Sequence, residues 1–123
     1  MTAERTFLEI RAAYPDDWEI GVLADVKSVC SDGDTLLHRV AYKGNRKDIR
    51  DLIALGSDPN ALGDMGNTPL HYAAMNGHLL PALALLDSGA KADLKNEFGQ
   101  TPADCAGLGR HFQLEAVLRR SRT

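Results

Sequence analysis

The residues of this chain that could do chemistry are four histidines and two cysteines. A metal site made of His71, His78 and His111 would need its ligands about 2 Å from one ion, and their spacing does not arrange that. Cys105 has no neighbouring histidine to lower its pKa, which predicts an inert, partly buried thiol. The histidines and cysteines therefore predict neither a metal site nor a nucleophile.

Cofactor chemistry has no motif in the chain either. The segment Gly107-Leu108-Gly109 follows no predicted strand and precedes no lysine of a phosphate-binding loop, so it predicts no phosphate site. No set of residues assembles a nucleophile, a base and an oxyanion donor. We therefore expect no enzyme activity, no cofactor and no catalytic residue.

The composition is that of one small globular domain. The chain has 123 residues, of which 44% are hydrophobic and 25% charged, with a net charge of -3. This acidic balance disfavours nucleic-acid binding, and no apolar run reaches the roughly 20 residues that span a bilayer. Residues 1–10 lack the apolar core of a signal peptide, and two cysteines are too few for a disulfide scaffold. We expect a cytoplasmic protein that binds neither nucleic acid nor membrane.

The elements that position these side chains follow a repeat of 33 residues, the step from Thr35 to Thr68. One four-residue motif recurs at that step, as Thr35-Leu36-Leu37-His38, Thr68-Pro69-Leu70-His71 and, more weakly, Thr101-Pro102-Ala103-Asp104. The glycines before the motifs keep the same step, at Gly33, Gly66 and Gly99. Such a period is typical of repeat proteins, in which each unit buries its apolar face against the next.

One period predicts two short helices and an extended turn. Thr68 is placed to cap the first helix, which Pro69 can begin because the first turn needs no N–H from it. That helix extends towards Gly77, whose tolerance of positive φ suits a helix end. A second helix is predicted over about residues 79–88, with an apolar side made of Leu80, Leu83, Leu85 and Leu86.

This unit resembles the ankyrin repeat, in which a turn glycine precedes Thr-Pro-Leu-His-x-Ala-Ala and a second helix ends in Gly-Ala. The resemblance covers residues 32–122, and the middle repeat fits it best. It implies an all-α solenoid of stacked helix-turn-helix units, divided into an N-terminal capping helix and loop (1–31), two repeats (32–64 and 65–97) and a C-terminal capping repeat (98–123). It also implies that His38 and His71 are structural, each bonded to the turn backbone and a neighbouring threonine.

Both ends of the stack are predicted to be capped. Residues 2–14 predict an amphipathic helix that ends before Pro15, and Trp18 is expected to pack on it. The inward side of that helix is predicted to be Phe7, Leu8, Ile10 and Ala12. In the third repeat Arg110 stands where the family has a helix-ending glycine. The last helix carries Arg119 and Arg122, which fits a cap that faces water.

The resemblance further implies that the turn tips and first helices line a concave surface for protein partners. The repeat register predicts fifteen partner-binding residues there: Asp32, Asp34, Arg39, Tyr42, Lys43, Asp64, Met65, Asn67, Tyr72, Met75, Asn76, Glu97, Phe98, Gln100 and Leu108. Cys105 shares this register. Tyr, Phe, Met and Arg are enriched at interface cores, but packing between neighbouring helices is an alternative role for Tyr42 and Met75.

Charge and a second resemblance indicate the kind of partner. Acidic residues concentrate before residue 35 and continue at Asp64, a pattern that steers basic partners and is also found in solvated acidic loops. A chain of this size with Gly63-Asp64-Met65-Gly66 before its second repeat is similar to small bacterial ankyrin proteins, many of which resemble immunity proteins.

The leading hypothesis is a non-catalytic protein-binding module, monomeric when free. Its sharper form is an immunity protein that covers the basic cleft of a toxin such as a nuclease. The alternative is a structural or regulatory adaptor subunit.

Overall fold

The computed structural model describes residues 5–15, 21 and 23–121. The helices within these residues are α1 (Phe7–Arg11), α2 (Leu36–Lys43), α3 (Arg46–Ala54), α4 (Pro69–Met75), α5 (Leu79–Asp87), α6 (Pro102–Leu108) and α7 (Phe112–Arg120). A three-residue 3-10 turn, Asp64–Gly66, lies between α3 and α4. Because the described residues contain helices and no strand, the expectation of an all-α fold is confirmed.

From α2 onwards the helices form pairs that stack on one another. The first helices of the pairs, α2, α4 and α6, pack in succession, and each also packs against its own second helix, α3, α5 or α7. Helices of seven to nine residues are too short to be stable alone, so burial between units must stabilise them. The core between the layers contains Leu37, Ile49, Leu70, Leu85 and Leu118, all fully buried. This arrangement is the predicted solenoid.

Each first helix begins with the same cap, as the repeat predicted. The hydroxyl oxygens of Thr35, Thr68 and Thr101 each accept a hydrogen bond from the backbone N–H three residues later. The side chain at that third position bonds back to the threonine backbone, which completes a capping box. Pro69 occupies the first turn of α4, where no intrahelical donor is lost.

Each first helix is followed by a residue in the left-handed region. Gly44 and Gly77 have φ of 86° and 70°, and a Cβ on Gly77 would collide with the ring of His111. In the last repeat the equivalent residue is Arg110, which adopts φ 64° although it is not glycine. The backbone of the last repeat therefore keeps the geometry of the first two repeats although glycine is replaced, at the cost of an unfavourable conformation for an L side chain.

The N-terminal helix is shorter than predicted. It begins at Phe7 with Thr6 as its cap and ends at Arg11, three residues before Tyr14. Ile10 is fully buried and Phe7 packs against the core, but Leu8 and Ala12 are exposed, so the prediction that they face inward is wrong. Five helical residues make fewer than two turns, which leaves room for only one inward position besides Phe7. Trp18 and Arg122 lie outside the described residues.

Polar contacts attach this N-terminal segment to the second helix of the first repeat. The Arg5 guanidinium pairs with Asp48 and, at 2.6 Å, with Asp51. The Tyr14 hydroxyl donates to the buried Asp48 carboxylate at 2.6 Å. Burial and this carboxylate raise the pKa of Tyr14. The sequence predicted an apolar cap, whereas the contact depends on Asp48, a carboxylate that would be costly to bury without these partners.

The second helix of the middle repeat matches its predicted range closely, since α5 spans Leu79–Asp87. Its buried side contains Pro81, Ala82, Ala84 and Leu85, with Leu86 partly buried. Leu80 is 54% exposed, so its predicted place on the apolar side is wrong. Nearly every residue of α5 is apolar, so the sequence pattern does not indicate which leucine faces the neighbouring helices.

The left-handed positions predict opposite effects of two substitutions. Arg110→Gly should stabilise the fold by about 1 kcal/mol, because glycine adopts positive φ without the steric cost that arginine bears. Gly77→Ala should destabilise it, because the added Cβ meets the His111 ring at φ 70°. Urea denaturation of both variants measures the effects. A lower midpoint for Arg110→Gly would show that its side chain stabilises the end of the stack.

Candidate functional site

Two buried histidines, His38 and His71, join the turn before one repeat's first helix to the turn before the next repeat's first helix. The Nδ1 of His38 accepts a hydrogen bond from the Thr35 backbone N–H at 3.0 Å, so its Nε2 is the donor to the carbonyls of Ala61 (2.9 Å) and Asn67 (3.1 Å). His71 repeats this arrangement with the Thr68 N–H at 3.0 Å and the Gln100 carbonyl at 2.8 Å. The structural bonding that the resemblance implied for both histidines is confirmed.

Burial determines the protonation state of these two imidazoles. It lowers the pKa of His38, against the opposing effect of the nearby Asp34 carboxylate, and it lowers the pKa of His71. The third repeat has Asp104 at this position, and its carboxylate accepts the Thr101 N–H at 3.0 Å. This backbone donor is the main reason that the pKa of Asp104 is lowered.

The fifteen predicted partner-binding residues differ widely in exposure. Seven are exposed: Asp32, Tyr42, Lys43, Met65, Glu97, Phe98 and Leu108. Six are partly buried: Arg39, Asp64, Tyr72, Met75, Asn76 and Gln100. Two are buried, Asp34 at 3% and Asn67 at 6% exposure, although the sequence placed both on the concave surface.

The two buried residues occupy equivalent positions and bond to the next hairpin or repeat. The Asp34 carboxylate accepts the Asp64 N–H at 2.8 Å and the Tyr72 hydroxyl at 3.0 Å. The Asn67 side-chain oxygen accepts the Asn96 amide at 2.9 Å. Both side chains therefore position neighbouring residues and expose little surface to a partner.

Cys105 is also buried, although it shares the register of the concave surface. Burial raises the pKa of its thiol to about 11, so the thiol stays protonated at neutral pH. Cys30 is buried too, and neither cysteine is in a disulfide. The predicted inert thiol agrees with this environment.

Six of the predicted residues line one depression between the first two repeats. They are Asp32, Asp34, Arg39, Tyr42, Asp64 and Tyr72, and we call this set the acidic depression. The ring of Tyr72 meets His38 and Tyr42 edge-on, with centroids 5.8 Å and 6.0 Å apart. Burial and the Asp34 charge raise the pKa of Tyr72, which keeps its hydroxyl a donor.

The acidic depression has an excess of negative charge. It contains three carboxylates and one guanidinium, that of Arg39. Arg39 lies 2.8 Å from the Asp32 carboxylate and 3.3 Å from that of Asp34. One cation cannot neutralise three anions, so the depression favours a further positive group.

The remaining predicted residues lie outside the depression, at the tips or at the ends of the first helices. Met65, Glu97 and Phe98 are at the second and third tips. The Asn76 amide donates to the Tyr42 carbonyl at 2.8 Å, which caps the end of α2. Met75 packs against the core, as the alternative interpretation of that residue held. The buried Asn67 and the side chains of Lys43, Gln100 and Leu108 complete the set.

The described ranges lack two further features that could indicate a function. No group of three or more His, Cys, Asp or Glu side chains there could hold a metal ion. Among the helices of those ranges, none has the length and apolar character needed to cross a bilayer.

Comparison with known proteins identifies the family to which this chain is similar. A family model described as ankyrin repeats (3 copies) matches residues 16–96 and 37–117, which together are most of the chain. No curated protein matches the sequence.

The hydrogen bond between Tyr72 and Asp34 predicts a stability effect. Tyr72→Phe should destabilise the fold by about 1–2 kcal/mol, because it removes a donor from a buried carboxylate. Tyr42→Phe is the matched control, since that ring is exposed, and it should change the free energy of unfolding little. Equal effects of the two substitutions in urea denaturation would contradict the assigned role.

The two imidazoles predict a pH dependence of stability. Because their pKa values in the folded chain lie below the ordinary value near 6.5, the unfolded chain binds protons more readily. Their contribution is complete above pH 6.5 and falls as the pH decreases, by up to about 1.4 kcal/mol per pH unit for each imidazole. Denaturation between pH 7.5 and 5.5 measures this loss, and NMR titration should find that each ring is protonated at a lower pH in the folded chain than in the unfolded chain. Imidazoles that protonate above pH 6.5 in the folded chain would contradict it.

Proposed function

Because the chain belongs to the ankyrin-repeat family, whose repeats are generally protein–protein interaction modules, we propose that it binds a protein partner through the acidic depression and the adjoining tips, without catalysis. The observation that carries this proposal is the convergence of six side chains from two repeats on one depression. Tyrosine and arginine are the residue types that dominate binding energy in protein interfaces.

The partner presents an arginine or lysine side chain to this depression. The carboxylates of Asp32 and Asp64 attract the cation, and the exposed Tyr42 ring offers an aromatic surface for it. Asp32 is already oriented, since it also accepts the Asp34 backbone N–H at 3.0 Å. A preoriented carboxylate loses little conformational entropy when it meets the partner.

In its sharper form the proposal is an immunity protein. The partner is then a toxin with a basic cleft, such as a nuclease, and the chain neutralises the toxin by covering that cleft. Neither Cys30 nor Cys105 is in a disulfide, which is compatible with action in the reducing cytoplasm. The free chain is expected to be a monomer, with the concave surface open to the partner.

Charge removal on one face tests the proposal. The double substitution Asp32→Asn/Asp64→Asn keeps the shape of the depression and removes two of its three negative charges. Capture from native lysate, with cross-linking and mass spectrometry, identifies a partner of the wild-type chain. That partner's affinity for the double variant should fall at least about tenfold, and the wild-type association rate should fall with added salt.

The matched control is Asp87→Asn/Asp93→Asn. It makes the same change in net charge at exposed carboxylates on α5 and in the loop that follows α5. This variant should retain the partner. Equal retention by both variants, or cross-links to an acidic face of the partner, would contradict the proposal. For the immunity form, co-expression with the partner toxin should protect cells, and protection should fail with Asp32→Asn/Asp64→Asn.

A further inference from the structure

The second turn tip has a conformation that its sequence disfavours. Asn67 donates its backbone N–H to the Asp64 carbonyl at 3.0 Å, which closes a turn whose central residues, Met65 and Gly66, have φ of 55° and 72°. Turns with two central residues at positive φ favour Asn-Gly or Gly-Gly. Met65 and Arg110 are the non-glycine residues with positive φ among the described ones.

The fold does not need a methionine at this tip. The Met65 side chain is 50% exposed and does not pack against the hydrophobic core. The backbone carbonyl of Met65 accepts a hydrogen bond from the Glu97 N–H of the third tip at 2.9 Å. This contact does not depend on the Met65 side chain, because every residue has a backbone carbonyl. The equivalent residues of the other tips, Asp32 and Phe98, are not left-handed. Met65 therefore bears a conformational cost that neither packing nor hydrogen bonding explains.

The third turn tip, like the second, carries an exposed apolar side chain, which is Phe98. Phe98 is 65% exposed, and the hydrogen bond from Glu97 to Met65 holds the two tips side by side. Each apolar residue directly follows a carboxylate, Asp64 or Glu97. Two adjacent tips thus present the same pair of features, an acidic group followed by a large apolar side chain.

We propose that Met65 and Phe98 form an apolar tip pair that binds a partner segment carrying a large apolar side chain beside a lysine or arginine, and that the left-handed strain at Met65 is retained for this contact. The proposal rests on the proposed function and adds a second subsite to it. Charge complementarity identifies the partner segment, since a cation beside its apolar side chain meets Asp64 or Glu97. Methionine and phenylalanine are enriched at interfaces.

Stability gives the first test, for which no partner is needed. Met65→Asn creates the Asn-Gly sequence that this turn favours, so the Tm of the full chain should rise by about 3–5 °C. Phe98→Asn is the matched control, because its φ is not positive and its Tm should not rise. A lower Tm for Met65→Asn would show that the side chain serves the fold and would overturn the proposal.

Binding gives the second test, with random peptides displayed on phage and selected against the immobilised full chain. Selected peptides should combine a large apolar residue with a neighbouring lysine or arginine. Met65→Asn and Phe98→Asn should each weaken their binding by about tenfold. Leu80→Asn, at an equally exposed leucine on α5, should leave binding unchanged.

The outcomes separate this proposal from the proposed function. Peptides that lose affinity with Asp32→Asn/Asp64→Asn but not with Met65→Asn would leave the proposed function standing and overturn the tip pair. Peptides without an apolar residue would also overturn it. If selection yields no peptide that binds the chain above the bare support, both the tip pair and the proposed function are contradicted.

Discussion

The rest of this structure depends on the hydrogen bonds of buried imidazoles between successive hairpins. His38 and His71 each accept from their own turn and donate to the next one, at distances of 2.8–3.1 Å. Helices of seven to nine residues cannot persist alone, so their stacking must fix both spacing and rotation. An apolar contact tolerates sliding, whereas a buried donor must meet its acceptor, and this requirement fixes the register of the stack.

The acidic depression lies next to the hydrogen bonds of His38 and shares residues with the contact between the first two repeats. Tyr72 comes from the second repeat, yet its ring meets His38 edge-on and its hydroxyl bonds Asp34, both from the first repeat. The groups that hold two repeats together therefore also shape the surface proposed for binding. A partner that contacts Asp32 and Asp64 would bridge the first and second turn tips, so binding would stabilise the junction between them by mass action.

The sequence predicted which positions are equivalent in successive repeats better than it predicted which side chains are buried. The period of 33 residues correctly placed the cap at Thr68, and the resemblance to the ankyrin repeat correctly implied the structural imidazoles and the helix-ending position of Arg110. It did not show that Asp34 and Asn67 are buried, because their partners, Tyr72 and Asn96, come from 38 and 29 residues away. Polar side chains suggest exposure until a distant partner is known. The N-terminal segment has no repeat, and its attachment through Asp48 had no local signal.

The turn tips change from charged to apolar along the stack. This order suits an association in which charge guides the first encounter and apolar contact then holds the partner. The first tip carries Asp32, whereas the equivalent residues of the next two tips are Met65 and Phe98. Charge acts at long range and governs the rate and orientation of encounter, while apolar contact acts only after desolvation and governs how long a complex lasts. A partner with a basic group ahead of an apolar one would thus be oriented by the first repeat and retained by the second and third. Because the three tips are held in register by buried hydrogen bonds, the spacing between the charged and apolar parts is fixed before the partner arrives, which limits the entropy lost on binding.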